Sequence, residues 1–136
     1  MSLKVRTLSS VHRVLYSASG GRVGRRIVGM PVLLLTTVGR RSGRRRTVPL
    51  TYFEDGEALV VVASFGGRPH NPAWFENLVA NADVEVQIGR GVERRRARRA
   101  TAEERARLWP RIVAAYGGYE KYQTKTDREI PLAVLR

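Results

Sequence analysis

The sequence predicts an α+β domain: a small, mainly antiparallel β-barrel with helices packed on its outside. Three observations predict it. About six short apolar runs, several of them alternating with period two, lie between turn-forming residues, as strands do. They follow one another in meander fashion rather than alternating with helices, which argues against a parallel sheet. The strong helix start signals come late, at Asn71-Pro72 and at Thr101 to Glu104. Across the 136 residues there is no internal repeat and no linker-like stretch, so one domain spanning 1–136 is expected.

Each element has a local reason. Residues 1–28 read as a basic helical arm, with Leu8, Val11, Val14 and Leu15 at helical spacing and a break at Ser19-Gly20-Gly21. Such an arm either lies on an anionic membrane surface or packs on its own core. Pro31 to Thr37 is an apolar, partly β-branched run, hence a buried strand. Gly39 to Gly43 is a turn. Arg46 to Glu54 is the next strand, where Pro49 demands an edge or a bulge. Asp55-Gly56 is a hairpin turn, and Glu57 to Ser64 returns as a third strand. After a loop at Gly66 to His70, Asn71 is expected to cap a helix that starts at Pro72. Trp74, Phe75, Leu78 and Val79 form its apolar face, and Asn81 ends it. Val84 to Ile88 and Val92 to Ala100 are strands joined at Gly89-Arg90-Gly91. Thr101-Ala102-Glu103-Glu104 is a capping box opening a helix through Leu108, Trp109, Ile112 and Val113, kinked or restarted at Pro110. Ile130 to Leu135 is a last strand.

Composition narrows the chemistry. With no Cys and two His, thiolate sites, disulfides and an ordinary histidine-rich zinc site are not expected, so no metal is assigned. No apolar run approaches the roughly 18 residues needed to cross a bilayer. Arg6, His12 and Arg13 interrupt any signal-peptide core, so a cytoplasmic location is expected. The net charge of +13 favours polyanionic partners: nucleic acid, anionic lipid or a small ligand rich in phosphate and carboxylate. Charge alone does not choose among them.

Four segments can carry chemistry. In Gly39-Arg40-Arg41-Ser42-Gly43-Arg44-Arg45-Arg46, two glycines bracket a tight turn whose amides can form an anion nest, with arginine forks around it. The competing reading is a solvated hairpin tip. Val62-Ala63-Ser64-Phe65-Gly66-Gly67 ends a buried strand in small residues, which would let a planar ring approach the backbone. Asn71 to Leu78 offers a helix N-terminus to a phosphate, while the competing and favoured reading of Trp74 is core packing. Tyr116, Tyr119 and Tyr122, three apart, form an aromatic wall that either lines an acceptor pocket or closes the barrel. No nucleophile–base pair stands out, so an enzyme of this sequence would need a cofactor.

Taken in order, these segments resemble the deazaflavin-dependent nitroreductase family. The resemblance rests on Leu33 to Thr37 with Gly39-Arg40-Arg41-Ser42-Gly43, Pro49-Leu50, Asp55-Gly56, Val61 to Ser64 with Gly66-Gly67, and Asn71-Pro72-x-Trp74-Phe75-x-Asn77-Leu78. It continues through the three tyrosines to Thr126-Asp127-Arg128 and Ile130-Pro131. It spans roughly residues 7 to 135, and it implies a split β-barrel like that of flavin-binding reductases. It further implies coenzyme F420, a deazaflavin with a phosphate and polyglutamate tail, donating hydride to a menaquinone-like quinone or a nitroaromatic. Carried over by position, Arg40, Arg41, Ser42 and Arg46 would hold the phosphate, and Thr47, Val48 and Pro49 would line the cofactor groove. Val62, Ala63, Ser64 and Phe65 would face the ring, and Ala73, Trp74, Phe75, Glu76 and Asn77 would close the site. Ser64 and Tyr119 would be catalytic, and Thr51, Tyr116 and Tyr122 would border the acceptor. Thr51 and Phe65 depart from residues some members carry there, which bears against prodrug-type nitroreduction. A monomer or weak homodimer, with peripheral contact to an anionic membrane, is expected. The alternatives are a nucleic-acid-binding domain using Arg94 to Arg99, and an FMN-dependent reductase on the same barrel.

Overall fold

In chain order the strands are β1 (Arg26–Ile27), β2 (Met30–Val38), β3 (Arg45–Thr51), β4 (Phe53–Asp55), β5 (Ala58–Val62), β6 (Asp83–Ile88), β7 (Gly91–Arg99) and β8 (Leu132–Leu135). The helices are α1 (Ala73–Ala80), α2 (Ala102–Ala115) and α3 (Gly118–Thr124), with a 3-10 turn at Phe65–Gly67. The computed structural model describes residues 30–136 and the backbone of Arg26–Ile27. The expected arm over 1–28 therefore lies outside the described residues, except that Arg26 and Ile27 pair with Pro31 and Met30 as strand, not helix.

Among the described residues all strand pairs are antiparallel, and the order β2-β6-β7-β8-β5-β4 is completed by β3, which there pairs only with β2. β3 and β4 are one bent strand interrupted at Tyr52, whose N–H donates to Pro31 O. Its first half pairs with β2 and its second half with β5, so the sheet curls back on itself as a split α+β barrel. Pro49 is accommodated because, among the described residues, β3 has a ladder on one side only. The hairpin expected at Asp55-Gly56 is shifted by one residue. Asp55 still pairs with Ala58, and the two loop residues are Gly56, with φ of 60°, and Glu57.

Alternation sorts the strands into two faces. Leu33, Leu35, Leu59, Val61, Val84, Val86, Ala133 and Leu135 point into the barrel. Trp74, Phe75 and Leu78 of α1 join that interior cluster. The outer face of β5 and β8, through Val60, Val62 and Leu132, packs on Leu108 and Ile112 of α2 and Tyr119 of α3. These two clusters give the domain most of its apolar burial.

Three local expectations shift. Pro72, not Asn71, occupies the N-cap of α1, and no side chain caps it. The Asn71 side chain is used elsewhere, bonded to Arg128 and Glu76. Val79 is exposed, because the buried position in that turn goes to Asn77. The helix does not restart at Pro110 but runs on as one element over Ala102–Ala115. Pro110 and Ala106 are both exposed, so water can take the carbonyl that loses its N–H partner. The Thr101 capping box forms as expected, with Glu104 N–H donating to Thr101 Oγ1 at 3.2 Å and Thr101 N–H donating to Glu104 Oε1 at 2.8 Å.

Candidate active site

The site begins where the barrel fails to close. The β4–β5 ladder ends at Phe53↔Val60. Continuing that register would set Thr51 against Val62 and Pro49 against Ser64. Instead β3 and β5 approach each other without a ladder among the described residues. This unpaired stretch is a seam, with Thr47, Val48, Pro49 and Thr51 of β3 on one side and, at the end of β5, the buried Val62 and Ala63, the half-buried Ser64 and the exposed Phe65 on the other. The resemblance assigns Thr47, Val48 and Pro49 to the cofactor groove, Thr51 to the acceptor border and Val62 to Phe65 to the ring; β3 carries the first four and the end of β5 leads into the others.

At the closed end of the seam sit the tyrosines. Tyr119 is buried, and its phenol shares a 2.6 Å hydrogen bond with Thr51 Oγ1. Burial pushes its pKa above the usual phenol range, with the Thr51 hydrogen bond acting in the opposite direction. Tyr119 is thus a neutral hydroxyl at neutral pH. The three rings meet at centroid distances of 5.1, 6.1 and 6.5 Å, but not along one helix. Tyr116 ends α2 in an extended conformation, and Tyr119 and Tyr122 belong to α3. Gly118 makes the fold-over possible, since a Cβ there would run into the Tyr116 ring. Tyr122 is raised too, first by its hydrogen bond to Tyr116 and then by burial.

The arginine hairpin lies at the other end of β3. Gly39 N–H donates to Arg44 O, Gly43 N–H donates to Gly39 O, and Gly43 takes φ of 71°. Ser42 Oγ accepts from Arg44 N–H, which fixes the turn locally. Arg40 is committed: its N–H and a guanidinium nitrogen both donate to Asn77 Oδ1, at 3.1 and 2.8 Å. Asn77 is buried and donates in turn to Thr37 Oγ1 at 3.4 Å. Arg40 and Asn77 therefore clamp the hairpin to α1. The guanidinium groups of Arg41, Arg44 and Arg46 have no partner among the described residues, and neither do the amides of Arg41 and Ser42. Unpaired guanidinium groups around unpaired amides fit an anionic ligand group.

Trp74 and Phe75 sit in the interior cluster, whereas Ala73 is exposed and Glu76 half-buried. Ser64 is half-buried, and its hydroxyl has no partner among the described residues. Phe65 holds a left-handed φ of 48°, with Arg68 4.5 Å over its ring and the His70 ring edge-on at 5.5 Å. In the Arg94 to Arg99 run, Arg95, Arg96 and Arg98 pair with Glu93, Asp83 and Glu104. Among the described residues no group of three or more His, Cys, Asp or Glu is placed to hold a metal, and no helix is long and apolar enough to cross a membrane.

Sequence reasoning gave Arg128 no role, although Thr126-Asp127-Arg128 belongs to the resemblance. It also missed Gln123, which holds Arg128 O and Ile130 N. The acceptors of the Arg128 side chain lie 57 to 65 positions away, so no local pattern exposes them, while Gln123 bonds Arg128 and Ile130 only five and seven positions on, within an irregular loop.

A split barrel with hydroxyl side chains at the β3–β5 seam and a basic hairpin with free guanidinium groups offers donors to an anionic, carbonyl-bearing cofactor. The model of the F420H(2)-dependent quinone reductase family matches residues 8–136. An F420H(2)-dependent quinone reductase of Mycobacterium tuberculosis (strain ATCC 25618 / H37Rv) is 41% identical over 133 residues, covering 94% of this chain and 89% of that protein. The solved F420-H2 dependent reductase FDR-A is 45% identical with a TM-score of 0.70, covering 78% of this chain and 94% of that one. A structure described as a domain-swapped dimer is 39% identical with a TM-score of 0.73, covering 99% and 100%. The chain belongs to the F420H(2)-dependent quinone reductase family; it is an oxidoreductase, and its cofactor is coenzyme F420.

Proposed function

We propose that the chain transfers a hydride from reduced F420 to a menaquinone-like quinone held in the seam between β3 and β5. Arg41, Ser42 and Arg46, with Arg44, hold the anionic tail of the cofactor, while Arg40 and Asn77 keep the hairpin in place. Thr47, Val48 and Pro49 line one side of the ring site and Val62, Ala63, Ser64 and Phe65 the other. Ala73 and Glu76 border it, and Trp74 and Phe75 support it from the core. The observation that carries this reading is the set of unpaired guanidinium groups and amides at the hairpin, next to a seam with no ladder.

Reduced F420 supplies a two-electron hydride when bound. The chain's own task is to hold two flat rings in register, exclude water and deliver protons. The Ser64 hydroxyl is free to donate to a ring carbonyl. The neutral Tyr119 phenol, oriented by Thr51, donates toward the acceptor oxygen. Tyr116 and Tyr122 form the aromatic side of the acceptor pocket, where a nitroaromatic is the alternative occupant. The net charge of +13 and a lipophilic acceptor support a cytoplasmic protein in peripheral contact with an anionic membrane. The domain-swapped relative supports a homodimer over a monomer.

Oxidation of F420H2 followed with menadione and with a nitroimidazole as acceptors tests the reading. Turnover with the quinone, weaker or absent with the nitroimidazole, is expected. No turnover with any quinone overturns it. Flotation with liposomes rich in phosphatidylglycerol tests the membrane contact, and failure to float with them removes it.

A further inference from the structure

Arg128 touches four groups of the loop that forms the ring-facing lip. Its guanidinium donates to Ala63 O at 3.2 Å, Ser64 O at 2.8 Å, Arg68 O at 2.9 Å and Asn71 Oδ1 at 2.8 Å. These acceptors span both sides of the strained Phe65 and the entry to α1. A left-handed φ at a bulky residue persists only where its surroundings hold it.

Arg128 is itself held from behind. Gln123 donates to Arg128 O at 2.7 Å, and its Oε1 accepts from Ile130 N–H and from Arg105, at 2.9 and 3.1 Å. Arg105 also donates to Ile130 O at 2.8 Å. Burial lowers the pKa of both arginines, yet a guanidinium remains charged throughout the working range. On the loop side, Gly67 takes φ of 80°, and a Cβ there would meet Tyr122 O. The loop is thereby seated on α3, the helix that carries Tyr119.

We infer that Arg128 is a positioning residue for hydride transfer: it fixes the Ala63–Ser64 lip and the Phe65 turn against the tyrosine helix, setting the orientation of the ring without gripping the cofactor's anionic tail. The inference rests on the F420 reading of the seam. It predicts a division of labour. The hairpin arginines set affinity, and Arg128 sets orientation.

Steady-state kinetics of the parent protein, Arg128→Ala and Arg128→Lys with F420H2 and menadione test it, beside thermal melts of each. Absent turnover in the parent protein would overturn the F420 reading itself. With an active parent, Arg128→Ala should lose about 100-fold in kcat, the scale of a misplaced reactant, with the KM for F420H2 unchanged. Arg128→Lys, which cannot fork to four acceptors, should recover only part of the loss. Free guanidinium ion at millimolar concentration should restore kcat in Arg128→Ala. An Arg128→Ala protein with parental kcat, or with lost kcat that neither guanidinium nor lysine rescues, overturns the positioning role. Should that variant not fold, Asn71→Ala removes one of the four acceptors, and it should lower kcat with KM held; a parental kcat there overturns the role equally.

Discussion

Replacing Asn77 by Leu, which keeps roughly the side-chain volume, should loosen the basic hairpin and cost measurable stability. Asn77 accepts from the Arg40 amide and guanidinium and donates to Thr37 Oγ1. Thr37 is fully buried, so its orphaned hydroxyl costs about 1–3 kcal/mol. The Arg40 groups are nearer solvent and recover water, so together they add only about 1 kcal/mol. Leucine returns roughly 0.4 kcal/mol through its better helix propensity. The net loss is about 2–4 kcal/mol, or roughly 6–14 °C in melting temperature for a domain of this size. Far-UV circular dichroism melts measure the stability, and fluorescence titration measures F420 affinity, which should weaken as the hairpin detaches from α1. A melting temperature within about 2 °C of the parent would refute the clamp.

The other predictions probe separate parts. Arg41→Ala with Arg46→Ala should raise the KM for F420H2 and leave kcat and the melting temperature in place; each exposed charged hydrogen bond is worth at most about 1.5–3 kcal/mol, so unchanged affinity would dismiss the phosphate role. Tyr119→Phe should lower kcat/KM for the quinone by at least about tenfold, the value of one hydrogen bond of about 1.4 kcal/mol, and parental kinetics would remove Tyr119 from the chemistry. The Arg98 hydrogen bond and then the Thr101 amide hold the Glu104 carboxyl at about 2, against 4.5 ordinarily. That contribution is complete above 4.5 and is lost as the pH falls toward 2, so melts of Glu104→Gln should depend less on pH between about 5 and 2 than the parent's. Equal pH dependence would contradict it.

What could be read in the sequence was what neighbouring residues decide. The apolar run of β2, the turn at Gly39 to Gly43, the edge strand marked by Pro49 and the capping box at Thr101 each follow from a few adjacent residues, and each is present. The seam between β3 and β5 was legible only as two separate segments, since its existence depends on where the β4–β5 ladder stops. The Asn71 side chain found Arg128, 57 positions away, instead of capping α1. Arg40 likewise found Asn77 at a separation of 37. Both are polar side chains with local roles available to them, and tertiary partners won. The tyrosine spacing suggested one helical wall. The Gly117-Gly118 break yields the same ring cluster from two helices, because glycine permits the close approach of Tyr116.

Equilibrium titration of the protein with F420, with FMN as competitor and at increasing salt, bears on the seam and hairpin together. Saturable binding that weakens steeply with salt and resists displacement by FMN is the result expected of an arginine-held anionic tail. Binding that is absent, or that FMN displaces at equal concentration, would contradict it.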